Sequence, residues 1–487
     1  MPHPVHETVF RSQPEEHASA TLTTTGEIPR ALRGTFLRSG PGLFEVGSDT
    51  LNFFDAHALI AGVTFEDGRA RFRSRFVKSP LYQAETAARS MKKRRIFTNL
   101  PSRWSNLFAL DFGNNAMHDV YAWGGKVIAG NDPGHFALDA RTLETSGPER
   151  WGGAAAKGEE MGPMPYRDPA SGRLVGWIKK PGGARPDAIR FVELDASMKV
   201  VKDTGPLALD ASPVLVHDHR ATPRFYVATA QAVRLAAGSA IWGAKTIYQS
   251  LVTPPGKTAD ILLVPRTGAA RLVRVPLPAG IEIAFHVINA FDQGANVVVD
   301  LVTYAGRIDF DVAAPPAHLT RTGFAAHPGP PPTPMRFVVD PEGGAIVSSQ
   351  RLGELRLEAP EVRDDLMGAP YRFFYGPTLG AHTDVPDQGG YFFYGALAKL
   401  DVETGASTAW SAPLGSVVSP PAFVARDDGE REDDGWLLAY VLTEAGASVV
   451  ILDALDLEKG PVAEVALGAH LPGVSHTRWA GDVMLAG

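Results

Sequence analysis

Cysteine is absent from this 487-residue chain. That excludes disulfides, zinc ribbons, iron–sulfur clusters and thiol catalysis, and leaves His, carboxylate or carbonyl groups as the donors for any metal. Long apolar runs are lacking too, and none approaches the ~18 residues of a membrane span. A cationic excess is missing as well. Lys and Arg number 47 against 54 Asp and Glu, a net charge of −7, so nucleic acid is not an expected partner. Met1 to Arg11 is polar with no apolar core, so no signal peptide is read there and a cytoplasmic location is the expectation. Sustained helical periodicity is scarce.

What is plentiful is turn chemistry: 50 glycines and 39 prolines, dispersed along the chain. Val63-Thr64-Phe65 runs into Glu66-Asp67-Gly68-Arg69 and then Ala70 to Val77, an Asp-Gly turn between extended runs. Arg71, Arg73 and Arg75 alternate with Phe72, Ser74 and Phe76 at the strand period of two. Similar units recur at Val338 to Val347, Leu400 to Gly405, Asp168 to Val175 and Asp292 to Asp300. Many short strands with Gly/Pro turns predict an all-β architecture. At this length a β-propeller is favoured over several domains, because radial repetition extends without enlarging one core. The expectation is a single domain over 1–487, with 1–20 a loose N-terminal segment.

Two stretches break the strand pattern and are expected to form cap insertions, around 90–114 and 230–255. The first holds Met91-Lys92-Lys93-Arg94-Arg95, then Phe97, Trp104, Leu107 and Phe108. The second, Ala230 to Thr253, reads as helical and carries Ile241 and Trp242. Basic residues beside aromatics suit a patch that dips into a membrane or admits an oily substrate. They suit equally a cap packed on the core.

The chain has 14 histidines. His3, His6 and His17 lie in a polar terminus, and His318 and His327 in a Pro-rich loop. Three have a different setting. His217 ends Val214-Leu215-Val216, His286 follows Ile283-Ala284-Phe285, and His476 lies in Val474-Ser475-His476-Thr477. Each sits at or near a strand, and histidines on separate blades can converge on a propeller axis.

Several blocks in fixed order resemble the carotenoid cleavage oxygenase family. They are Ile28-Pro29 with Leu32-Arg33-Gly34-Thr35-Phe36-Leu37-Arg38-Ser39-Gly40-Pro41, then Phe54-Asp55-Ala56-His57, Leu138-Asp139, His217-Asp218, and Phe285-His286 with Asn289-Ala290-Phe291. Tyr371-Arg372, Lys399-Leu400-Asp401, Glu432-Asp433-Asp434-Gly435-Trp436 and Leu452-Asp453-Ala454 continue the order. The resemblance implies a seven-bladed propeller under a helix and loop cap. It also implies Fe(II) on the axis, held by four His, with three Glu carboxylates orienting three of the imidazoles. Motif by motif, His217, His286 and His476 take the second, third and fourth ligand positions.

The chain departs from that pattern elsewhere. Met164, in Met164-Pro165-Tyr166-Arg167-Asp168-Pro169, stands where the first ligand His belongs. Asp132 and Asp292 stand where two of the Glu are expected, and Pro420 where the third is. Three readings follow. A three-His iron site survives, with Met164, water, or a carboxylate such as Glu159 or Glu160 at the vacant position. Alternatively the protein has lost iron and binds a carotenoid- or retinoid-like ligand, or it performs non-oxidative chemistry such as polyene isomerisation. The first is favoured: O2-dependent cleavage of an alkene in a carotenoid, apocarotenoid or other conjugated apolar substrate. Its partners would be that substrate and O2, with a peripheral membrane contact, the chain being a monomer or weak oligomer.

Overall fold

The computed structural model describes residues 8–109, 112–183, 185–212, 214–305, 331–379, 394–427 and 429–486. Alternating apolar residues and tight turns produce antiparallel sheets that succeed one another along the chain as seven blades. The Asp67-Gly68 turn shows how. Both residues have left-handed backbones, φ 51° and 72°, and they pair Glu66 with Arg69 in the tight hairpin that the sequence predicts.

Blade 1 runs outside to inside as Ala18–Ser19, Arg69–Phe76, His57–Glu66, Gly34–Ser39 and His476–Ala480. Its innermost strand therefore comes from the far end of the chain, with Ser39 opposite His476. The N-terminal strand Thr23–Gly26 pairs in turn with Pro461–Ala466 at the outside of blade 7. These two exchanges close the ring, so the first and last blades have no free junction to slide apart.

The innermost strands of the other blades begin at Asp119–Trp123 (blade 2), Glu160–Met161 and Tyr166–Arg167 (blade 3), Val216–Ala221 (blade 4), Ile281–Gln293 (blade 5), Glu361–Val362 (blade 6) and Val417–Val418 with Ala422–Ala425 (blade 7). They touch around the axis. His476–Ala480 meets Asp119–Trp123, Val216–Ala221 meets Ile281–Gln293, and Glu361–Val362 meets Ala422–Ala425, which returns to His476–Ala480. Apolar side chains fill the spaces between blades. Phe36 of blade 1 stacks on Tyr440 of blade 7 at 4.8 Å, and the Tyr440 hydroxyl donates to the Phe36 carbonyl at 2.8 Å.

A buried ion network joins blades 3 and 4. Arg266 Nη2 donates to Glu193 Oε1 at 2.8 Å and to Asp168 Oδ2 at 2.9 Å, while the Tyr226 hydroxyl donates to Glu193 at 2.6 Å. Burial raises the Glu193 pKa, but these donors outweigh it and hold the carboxyl at about 2, below its ordinary 4.5. A depressed pKa contributes stability above 4.5 that is lost as pH falls toward 2, here about 3 kcal/mol. Glu193→Gln is therefore expected to lower unfolding free energy by about that much at pH 7. The gap from wild type should shrink toward pH 2 in denaturant titrations; an equal gap at both pH values would contradict the assignment.

Two sequence expectations are corrected. The N-terminal segment is packed from Thr8 onward: Val9 and Phe10 are fully buried, and Ala18–Ser19 pairs with blade 1. Residues 230–253 are not one helix. Only Ala237–Ile241 is α-helical, followed by a 3-10 turn at Tyr248–Ser250, and Arg234–Leu235 pairs with Leu251–Val252 as a two-stranded ribbon. Gly243, at φ 64°, ends the helix, and the apolar spacing is spent on the ribbon instead. The two insertions do meet. Arg94 donates to the carbonyls of Ala240 at 2.7 Å and Lys245 at 2.6 Å.

Candidate metal centre

The axis of the propeller is lined by one residue from or beside each innermost strand. In blade order they are His476, His118, Met164, His217, His286, Glu361 and Pro420. His217 and His286 both sit where the strand register shifts, between Val216 and His219 and between Ala284 and Val287. Such bulges re-aim a side chain out of the regular alternation. Asp218, next to His217, accepts from the Val287 backbone N–H at 2.9 Å and so ties the two bulges together. His118 precedes its strand, its backbone N–H donating to Gly130 at 3.1 Å. His476 opens the C-terminal strand, and Thr477 behind it donates to the Pro420 carbonyl at 2.9 Å.

The four imidazoles form a closed ring. Centroid separations are 4.9 Å for His118–His217, 5.2 Å for His217–His286, 5.6 Å for His286–His476 and 5.4 Å for His476–His118. Donor atoms of His118, His217 and His476 all lie within 4.8 Å of one another. His286 stands beside that trio. Its Nδ1 is bonded to Glu358, and its Nε2 is buried without a hydrogen-bond partner. An orphaned imidazole nitrogen aimed among other imidazoles is what a bound cation would satisfy.

Electrostatics keep most of this ring neutral. Burial, then the neighbouring imidazoles, hold His118 and His476 well below the usual histidine value and His217 at about 4. For His286 burial also lowers the pKa, but the Glu358 carboxylate outweighs it and the net shift is upward. Neutral imidazole is the form that binds metal, and a carboxylate on the far nitrogen raises its basicity. An all-imidazole donor set suits iron, zinc, copper or nickel rather than magnesium or calcium.

The structure brings His217, His286 and His476 together, and Met164 and Pro420 line a cavity of about 30 Å³ beside His286 and His476. The expected carboxylates are different. Asp292 lies six residues beyond His286 on one strand, roughly 20 Å away, and pairs with Arg224 at 3.2 Å. It is Glu358 that bonds an imidazole. Asp132 accepts from the Met161 N–H through its backbone carbonyl at 2.9 Å, and burial pushes its carboxyl up to about 7. Glu159 and Glu160 are committed to Arg190 at 3.1 Å and Lys179 at 2.8 Å, so neither fills the Met164 position. His118 matches none of the family's ligand motifs. A usable signal existed: Met117-His118-Asp119 repeats the apolar-His-Asp entry of Val216-His217-Asp218. His318 and His327 lie outside the described residues.

The aromatic patch is divided. Trp104, Phe108 and Trp242 are 81%, 68% and 65% exposed, with Phe108 and Trp242 rings 6.4 Å apart. Leu107 and Ile241 are half-buried beneath them. Phe97 instead turns inward onto Tyr248 at 4.6 Å and Phe54 at 5.1 Å. Among the described residues no helix is long and apolar enough to cross a membrane.

The family profile described as Retinal pigment epithelial membrane protein matches residues 10–481. The apocarotenoid-15,15'-oxygenase of Synechocystis sp. is 30% identical over 490 residues, covering 97% of this chain and 95% of that protein. The isoeugenol monooxygenase of Pseudomonas putida is 26% identical, covering 94% of each. The solved structure of cobalt-substituted Synechocystis ACO superposes with a TM-score of 0.88 at 29% identity, covering 98% of each chain.

Proposed function

This chain belongs to the carotenoid oxygenase family and is a dioxygenase-like oxidoreductase, and from that premise we propose that it cleaves one alkene bond of a conjugated apolar substrate with O2, using Fe(II) on the propeller axis. The observation carrying this reading is the meeting of His217, His286 and His476 on the axis, neutral or carboxylate-supported, with the His286 Nε2 unpartnered. The reaction balances without a further reductant: the C=C bond and the O–O bond break, and each alkene carbon takes one oxygen as a carbonyl.

Fe(II), when bound, supplies the redox centre that lets O2 react with the alkene. The remaining work falls to side chains. His217 and His476 present neutral nitrogens, and Glu358 fixes the His286 tautomer by taking its Nδ1 proton as a hydrogen bond. Phe285, edge-on to His217 at 5.4 Å and to Tyr304 at 5.9 Å, gives an apolar wall beside the imidazoles on which a conjugated chain can lie. No general acid or base is required. Carotenoid, apocarotenoid and phenylpropenoid substrates fit the activities of the relatives, and the cobalt-substituted relative supports metal binding in this fold.

Incubation of the iron-loaded protein with labelled O2 and a panel of carotenoids, apocarotenals, stilbenes and isoeugenol tests this. The expected result is a pair of labelled carbonyl products from at least one member. Tight binding of a panel member with neither product nor retained iron would overturn it in favour of a ligand-binding protein, the reading that Met164 and Pro420 motivate. Delivery of an oily substrate would use the exposed aromatics. Trp104→Glu or Trp242→Glu is expected to weaken detergent-free liposome binding about tenfold, as read by co-sedimentation, since each removes a large inserting ring. Unchanged sedimentation would assign the patch to something other than lipid.

A further inference from the structure

We propose that His118, on blade 2, is a metal ligand of this chain and supplies the imidazole that Met164, on blade 3, does not. The inference rests on the reading that the axial histidines hold a metal. It goes beyond that reading in naming a donor the motif comparison did not place.

The argument begins with position. His118 and Met164 belong to neighbouring blades, and both reach the axis. Met164 is 3% exposed and offers a thioether, a weak donor to Fe(II). His118 is closer to His217 in ring separation, 4.9 Å, than His286 is, 5.2 Å. It also stacks on His476 with the two planes 4° apart. Nitrogens bound about 2.1 Å from one ion stand roughly 3–4 Å from each other. The 4.8 Å limit that encloses the His118, His217 and His476 donors is thus within a small ring rotation of a bound set.

The backbone that presents His118 is also fixed. Asn115 donates to the carbonyls of Phe54 at 2.6 Å and Ala56 at 2.9 Å, and accepts from Asn131 at 2.8 Å. Ser39 donates to the Met117 carbonyl at 2.9 Å. A ligand on so well-tied a segment needs little reorganisation to bind. The donors then come from blades 1, 2, 4 and 5, and the sides without an imidazole face Met164 on blade 3 and Glu361 and Pro420 on blades 6 and 7.

Anaerobic cobalt(II) titration of metal-depleted protein reads this independently of turnover, through cobalt per chain, affinity against a chelator, and the visible absorption of the ion. Wild type should bind about one cobalt per chain. His118→Ala should lose at least tenfold in affinity and change the absorption bands. The double variant His118→Ala with Met164→His should recover most of that affinity, because the imidazole returns one blade away. His118→Gln, which keeps the side chain's bulk, replaces the Ala variant if circular dichroism shows that it does not fold. Wild-type affinity and spectrum in His118→Ala, alongside loss of cobalt in His286→Ala, would overturn the proposal and leave the metal reading standing. Absence of binding to wild type by either cobalt(II) or Fe(II) would overturn both.

Discussion

His286→Ala is expected to abolish iron retention and to reduce alkene cleavage by at least ~10³-fold, since a bound metal supplies several kcal/mol of the chemistry. The fold should survive. His286 occupies a strand bulge and faces the axial cavity, so removing its ring leaves the ladder of blade 5 intact. The backbone N–H of the adjacent Val287 still bonds Asp218, and Tyr304 still donates to Glu358. Iron per chain by elemental analysis and product by chromatography are the two readouts. Loss of both, with the cooperative unfolding transition retained and lowered only by the cost of leaving the buried Glu358 carboxylate without its imidazole, is the expected pattern. Full turnover with iron retained would remove His286 from the site and, with it, the central observation behind the proposed function.

The scaffold was legible because propeller blades advertise themselves locally. Asp67-Gly68 and the alternation around Phe72 encode a hairpin within a dozen residues, and the order of the family blocks supplied the blade count. His217, His286 and His476 were legible because each matches a family motif, and His217 and His286 also adjoin apolar runs at their strands. What was not legible depends on register between distant blades. Asp292 shares a strand with His286, yet one strand length separates them, and proximity in sequence says nothing about which end of the axis a carboxylate occupies. Glu358 is 72 residues from His286 and reaches it only because blade 6 follows blade 5 around the ring. His118 was marked only by its Met117-His118-Asp119 entry, because Asn114 to Met117 has no strand pattern and Ala116 carries a left-handed backbone, φ 56°. The motif comparison points to a missing imidazole at Met164, whereas a nearby imidazole on another blade needs the fold to be seen.

Glu358→Gln should lower metal affinity and turnover 10- to 100-fold, the usual size of effect for a partner that orients a metal-binding imidazole. Glu358 is 4% exposed and fully engaged: one oxygen bonds His286 Nδ1 and the Ala359 backbone N–H, the latter at 2.6 Å, and the other accepts the Tyr304 hydroxyl. Burial pushes this carboxyl up, but the His286 charge and these donors outweigh it and keep it ionised. Glutamine has the same shape. Its carbonyl can still accept from His286, and its amide can donate to the Tyr304 oxygen, although the Tyr304 hydroxyl proton loses the carboxylate as its acceptor. What disappears is the negative charge that makes His286 a stronger base and holds its proton on Nδ1. Glu358→Ala differs in kind, because it strands both the imidazole N–H and the tyrosine hydroxyl and should also cost about 1–3 kcal/mol of stability. Comparing the two variants by cobalt titration and thermal melting separates charge from packing. Equal metal binding in Glu358→Gln and wild type would mean that the His286–Glu358 bond is structural, and that the imidazole ring binds through its geometry alone.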